Sequence, residues 1–168
     1  MGLDMYAHRI RAELVNYEPE VDVKLSEIAR RSVGFVDLFN FEFERLDKEG
    51  KRRYLEKQRD AVNRAKEEWG LDYDFYYWRK FNALHGWMEK LYRVKGGTDP
   101  DFNCNNVRLH KKDLERLEDE INDLQPTSGF FFGAEEIYPE HVKSLREFLK
   151  KANAAIDDGY AVFYDSWW

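Results

Sequence analysis

The chain opens and closes on stretches that alternate like β-strands, and this narrows its fold more than any other feature. From residue 3 to 10, Leu3, Met5 and Ala7 fall on one side of an extended chain, with Asp4, Tyr6 and His8 on the other. At the far end, YAVFYDSWW at residues 160–168 is rich in strand-favouring residues and follows Asp158 and Gly159, a pair suited to a turn. The segments between read mainly as helices. Terminal strands with helices between them predict an α+β single domain over residues 1–168. Its small, mostly antiparallel sheet would hold the N- and C-terminal strands and pack against several helices. A length of 168 residues suits one hydrophobic core.

Between the strands, residues 51–69 are dense in charge. Leu55, Val62 and Trp69 recur there at helical spacing beside pairs such as Asp60 and Arg64, which predicts a surface helix ended by Gly70. Next, Tyr77, Phe81, Leu84, Met88 and Leu91 share one sector at about 100° per residue, predicting a helix with a core-facing stripe that stops at Gly96 and Gly97. Residues 98–106, TDPDFNCNN, read as a loop and residues 107–109 as a short strand. Leu114, Leu117, Ile121 and Leu124 predict a helix broken by Pro126. Pro139 opens another that carries Val142, Leu145, Phe148, Leu149, Ala152 and Ile156. KLSEIARRSVGFVDLF, before Asn40, stays open between helix and strand, while Phe39, Phe41 and Phe43 alternate at period two.

Composition excludes several classes. The net charge of −6, from 33 acidic and 27 basic residues, provides no basic field to draw a phosphate backbone, so duplex nucleic acid is not an expected partner. With Cys104 the single cysteine, neither an intramolecular disulfide nor a cysteine-based metal cluster can form, and a reducing cytoplasmic setting is expected. MGLDMYAHRI lacks the apolar core of a signal peptide, and no run approaches the ~20 apolar residues of a membrane span. The 12 Phe, 10 Tyr and 5 Trp predict packing around large rings, with the closing Trp167 and Trp168 docked rather than frayed.

One constellation has the residue types for recognition. On the helix expected around Trp78, a second sector about 100° from the apolar stripe gathers Trp78, Asn82, His85 and Glu89: an indole, an amide, an imidazole and a carboxylate. Arg79 and Lys80 add cationic donors for an anion. An equal structural reading makes His85 an interfacial histidine bonded to neighbouring backbone. In PTSGFFFG, residues 126–133, a strand covered on both faces accounts for Phe130, Phe131 and Phe132. The turn of Thr127, Ser128 and Gly129 would let backbone N–H groups approach a ligand.

Familiar catalytic templates are missing. The chain has no GxxxxGK[ST], GxGxxG, HExxH or GxSxG, and its four histidines, His8, His85, His110 and His141, are scattered. Cys104 is weighed as a nucleophile with His85 or His110 as base, against its reading as a small apolar loop residue. A carboxylate site built from Asp4, Glu136 and Asp165 is a further reading, although no metal or other cofactor is assigned.

GLDMY at 2–6, YWRKFNALHGW at 77–87, the lone Cys104, PTSGFFFG and the closing FYDSWW occur in an order that resembles a family of small bacteriophage and bacterial proteins opening MGLDMY. The resemblance spans nearly the whole chain and implies no particular activity. The family pattern resembles YWRKAN-x-IH-x-WF, a Cys-led strand, PT-x-SGFFFG-S-T-E-Y and a closing Y-x-S-x-W. Trp78, Arg79, Lys80, Asn82, His85, Trp87, Ser128, Gly129, Glu136, Tyr164, Ser166 and Trp168 occupy such positions here. Ala134 and Glu135 depart from it, standing where relatives carry Ser and Thr.

These readings converge on an accessory protein of phage type, in the host bacterial cytoplasm, that binds a small polar, nucleotide-like ligand such as a host signal. The expected ligand-binding set is Asp4, Tyr6, Trp78, Arg79, Asn82, His85, Glu89, Ser128, Gly129, Glu136, Tyr164 and Ser166. Two alternatives stand beside it. One is a protein-interaction module that inhibits a host enzyme, with its acidic and aromatic surface forming the contact. The other is a hydrolase using His85 as acid or base, with Asp4, Glu89 or Asp165 as partner.

Overall fold

The computed structural model describes residues 2–32, 43, 45–127 and 136–168, which form two compact units, Met1–Val23 with Asp72–Trp168 and Lys24–Leu71. The first carries a four-stranded sheet of β1 (Asp4–Arg11), β2 (Asp72–Arg79), β3 (Val107–Leu109) and β4 (Tyr160–Trp167), in the order β2-β1-β4-β3. Each neighbouring pair is antiparallel. The two terminal strands are the central pair, in register from Asp4 opposite Trp167 to Arg11 opposite Tyr160. The α+β architecture expected from the sequence is therefore present, with both terminal strands in one antiparallel sheet.

The helices of this unit are α3 (Asn82–Val94), α4 (Lys111–Asp119) and α5 (Pro139–Asp157), numbered after two helices of the other unit. They pack on the sheet face that carries Met5 and Ala7 of β1 and Val162 and Tyr164 of β4. Leu84, Met88, Leu91, Leu114, Leu117, Leu145 and Phe148 complete a core in which each is buried to within 1%. At roughly 1.5–3 kcal/mol per buried large apolar side chain, this stripe is the main source of stability of the unit. Pro139 stands at the first turn of α5 and Gly159, at φ 83°, turns the chain into β4, as their residue types dictate.

The expected helix beginning near Tyr77 is corrected. Residues 72–79 are a strand, and the helix starts only at Asn82. Tyr73, Phe75, Tyr76, Tyr77 and Trp78 are strand-favouring rings, and β1 offers an edge whose pairing outweighs their apparent helical phase. Lys80 breaks the two elements apart at φ 57°, its N–H donating to the Leu3 carbonyl at 2.8 Å. Tyr77 accordingly leaves the apolar stripe and lies 48% exposed, whereas Phe81, Leu84, Met88 and Leu91 are buried as expected. Likewise α4 ends at Asp119, so Ile121 and Leu124 reach the core from beyond the helix.

The second unit, considered by itself, contains α1 (Leu25–Ser32) and α2 (Lys48–Trp69), which contact each other. Asp47 caps α2, its carboxylate accepting from the Gly50 N–H at 2.7 Å, and Gly70 closes it in the left-handed region at φ 58°. The helical alternative for residues 25–32 is the observed one. The period-two reading of Phe39 and Phe41 lies outside the described residues, as do Ser128, Gly129 and the three phenylalanines at 130–132.

Candidate functional site

β1 divides the expected site in two, because successive side chains of a strand point to opposite faces. On the helix-covered face, Trp78 packs its indole against Phe148 at 4.7 Å between ring centres. Its Nε1–H has no hydrogen-bond partner among the described residues. Asn82 and His85, on the first turn of α3, are each 1% exposed. His85 Nδ1 lies 3.0 Å from the Tyr164 hydroxyl, and its ring stacks on Phe102 at 5.3 Å. Burial holds its pKa down at about 4 and pushes that of Tyr164 well above the usual tyrosine range. Ser166, also 1% exposed, gives its hydroxyl to the Phe102 carbonyl at 3.2 Å. His85, Tyr164, Phe102 and Ser166 thus join in a buried core network, and the indole, amide and imidazole expected to open onto solvent are sealed within packing.

The opposite face is open over its Asp4 end. Asp4, Tyr6 and His8 project there from β1, joined by Tyr77 and Arg79 from β2 and Asp165 and Trp167 from β4 through the register Tyr6–Tyr77 and Tyr6–Asp165. Tyr77 donates its hydroxyl to Asp4 Oδ1 at 2.5 Å, and that carboxylate pushes the phenol up to about 12. Arg79 stands 3.7 Å from the same oxygen. The Tyr6 ring lies between His8, stacked at 6.2 Å, and Tyr77, tilted at 5.3 Å.

Beside this cluster lies a depression of about 280 Å³ lined by Tyr6, His8, Tyr73, Asp74, Cys104, Asp165, Ser166 and Trp167. His8 Nδ1 is 2.8 Å from the Tyr73 carbonyl, which can only accept, so this nitrogen carries the proton and Nε2 faces Asp165 Oδ2 at 3.6 Å. Asp165 Oδ1 accepts the Ser166 N–H at 2.6 Å. The loop at 102–104 is pinned to β4: the Cys104 N–H donates to the Ser166 carbonyl at 2.7 Å with Cys104 at φ 60°. Asn103 grips both the N–H and the carbonyl of Trp168, which docks the closing residue as expected, while Trp167 remains 57% exposed.

Of the expected set Tyr6 lines the depression and Ser166 borders it while its hydroxyl stays bonded to the Phe102 carbonyl in the core, with Asp4 and Arg79 on the depression's side of the sheet. Glu89 lies elsewhere, pairing with Arg93 on α3 at 3.2 Å, and Glu136 accepts from the Tyr138 hydroxyl at 2.7 Å. Among the described residues no three His, Cys, Asp or Glu side chains stand close enough to hold a metal ion, so Asp4, Glu136 and Asp165 do not assemble a carboxylate site. Burial, then Asp165, raises the Cys104 thiol above its ordinary value, which opposes a thiolate nucleophile. The bases weighed for it are engaged elsewhere, His85 with Tyr164 and His110 with Glu20 at 2.7 Å.

Sequence reasoning missed Tyr73, Asp74 and Trp167 as lining residues, and it left His8 unused although the same alternation places it beside Asp4 and Tyr6. A second hollow, of about 460 Å³, lies between α3 and α4 around Lys95, whose ammonium is held by Asp113 at 2.6 Å, by Glu20 at 3.3 Å and by the Arg108 carbonyl. The Lys95 cation is consumed by structure. No helix among the described residues is long and apolar enough to cross a membrane. Comparison of the chain with protein-family models, curated proteins and solved structures finds no match to any of them.

Proposed function

We propose that this chain is a binding protein for a small polar ligand, and that the ligand sits on the open sheet face rather than among Trp78, Asn82 and His85. The observation that carries this reading is the depression where aromatic rings and carboxylates converge beside the central strand pair. Rings on a sheet offer stacking area at little entropic cost, and the carboxylates accept hydrogen bonds from the edge donors of a flat ligand. For a nucleotide-like guest the base would lie over Tyr6, and an anionic tail would have to reach Arg79 past Asp4. The phage-type family and the bacterial cytoplasm belong to the same proposal and rest on the motifs alone.

An acid–base role for His85 receives no support from the geometry, since the imidazole is buried and its proposed carboxylate partners Asp4, Glu89 and Asp165 are bonded to other groups. Thermal-shift screening of the intact chain against small ring-bearing compounds tests the reading. A hit should raise Tm in a concentration-dependent way, and Tyr6→Ala should abolish that rise while His85→Gln retains it. Stabilisation that survives Tyr6→Ala and disappears in His85→Gln would return the site to the core network.

A further inference from the structure

We propose that the depression lined by Tyr6, Tyr73 and Trp167 is a receptor for an organic ammonium group, which the rings enclose and the carboxylates of Asp74 and Asp165 receive. The inference rests on the reading of the sheet face as a ligand seat and names the chemical class that fits it.

Three aromatic side chains line the depression, and aromatic ring faces attract a positive charge, most of all when water is partly excluded. Two carboxylates line the same hollow, while no lysine or arginine does so among the described residues. His8 gives its Nδ1 proton to the Tyr73 carbonyl at 2.8 Å and turns Nε2 to Asp165 at 3.6 Å, so this imidazole is held by groups of the hollow itself. Two side chains of the hollow lie close enough to its carboxylates to be affected by them. The Tyr6 phenol is raised by burial and then by Asp4, Asp74 and Asp165, and the Cys104 thiol by burial and then by Asp165.

A phosphate or carboxylate ligand would therefore meet two carboxylates, with no lysine or arginine lining the hollow among the described residues. A neutral ring would gain stacking but bring the carboxylates no positive charge. An ammonium group satisfies rings and carboxylates together, through cation–π attraction and charge-assisted N–H···O bonds. Size agrees: about 280 Å³ lies at the low end of ligand pockets and suits an amine head rather than a dinucleotide. The chain's net charge of −6 favours approach of a cation from solution.

The same chemistry is offered by a free polyamine and by a lysine side chain, so both serve as probes. Isothermal titration of the whole chain at low salt with spermidine, acetyl-lysine amide, adenosine and AMP separates the possibilities. The expected result is saturable one-site binding of an ammonium probe, weakened at least tenfold by Asp165→Asn and by Tyr6→Ala and unchanged by Asp119→Asn on the far-side helix α4. Tighter binding of spermidine assigns a free amine, and tighter binding of acetyl-lysine amide assigns a protein side chain. Asp74→Asn, at an exposed position, gives the same readout should Asp165→Asn fail to fold. Binding of adenosine that Tyr6→Ala weakens, without binding of either amine, overturns the ammonium assignment and leaves the sheet-face seat standing. Amine binding that no Asp74 or Asp165 variant weakens overturns the assignment as mere attraction to an acidic protein, and silence from all four probes overturns both readings.

Discussion

His85 shows how one buried side chain couples fold to pH. Burial lowers its pKa from 6.5 to about 4, so the folded chain refuses a proton that the unfolded chain accepts. Above pH 6.5 both states are neutral and the group sets no penalty. As pH falls from 6.5 towards 4 the unfolded state is charged first, and stability worth roughly 3 kcal/mol is lost. Urea unfolding checks this: between pH 7 and 4 the wild type should lose about 3 kcal/mol more than His85→Gln, which has nothing to titrate there. Parallel losses in the two proteins would contradict a neutral, sealed imidazole. Gly97 is a second residue with a defined task, because a Cβ there would lie 2.2 Å from the Tyr92 ring. Gly97→Ala should displace that buried ring and cost about 1–3 kcal/mol, read as a drop in the urea midpoint at constant slope.

At the scale of elements, α2 is held by its ends more than by its charges. Lys48, Lys51, Arg52 and Arg53 crowd its N-terminal turns and Glu67 and Glu68 its last one, the reverse of what the helix dipole favours. Local pairs such as Arg52 with Glu49 at 2.7 Å offset part of this, but both partners are more than half exposed and contribute little. The Asp47 cap and the Gly70 stop therefore matter more. Asp47→Ala should cost about 1 kcal/mol and Gly70→Ala about 1 kcal/mol, each seen as a lower Tm and an earlier loss of helical circular dichroism. No change in either variant would mean that the termini of α2 are fixed by something other than their caps.

Across the whole molecule, what the sequence disclosed depended on whether local pattern and tertiary pairing agreed. β1 and β4 were legible because alternation, a Gly159 turn and strand-favouring residues all pointed one way. β2 was hidden because Tyr77 happened to fall in phase with the helix after it, and only pairing with β1 decides its state. That one shift moved Trp78 off the helix and dissolved the expected row of Trp78, Asn82, His85 and Glu89. The real convergence, of Tyr6 and His8 with Asp165 and Trp167, joins opposite ends of the chain and could be found only through strand register, which no local period reveals.

Chemical-shift mapping of the intact chain titrated with an ammonium ligand, spermidine being the simplest, tests the sheet-face site most directly. The account predicts saturable shifts at Tyr6, His8, Tyr73, Cys104, Asp165 and the Trp167 indole, with the indole of Trp78 and the ring of His85 unmoved. Saturable shifts centred on Asn82 and His85, or none on the open face at saturation, would contradict it.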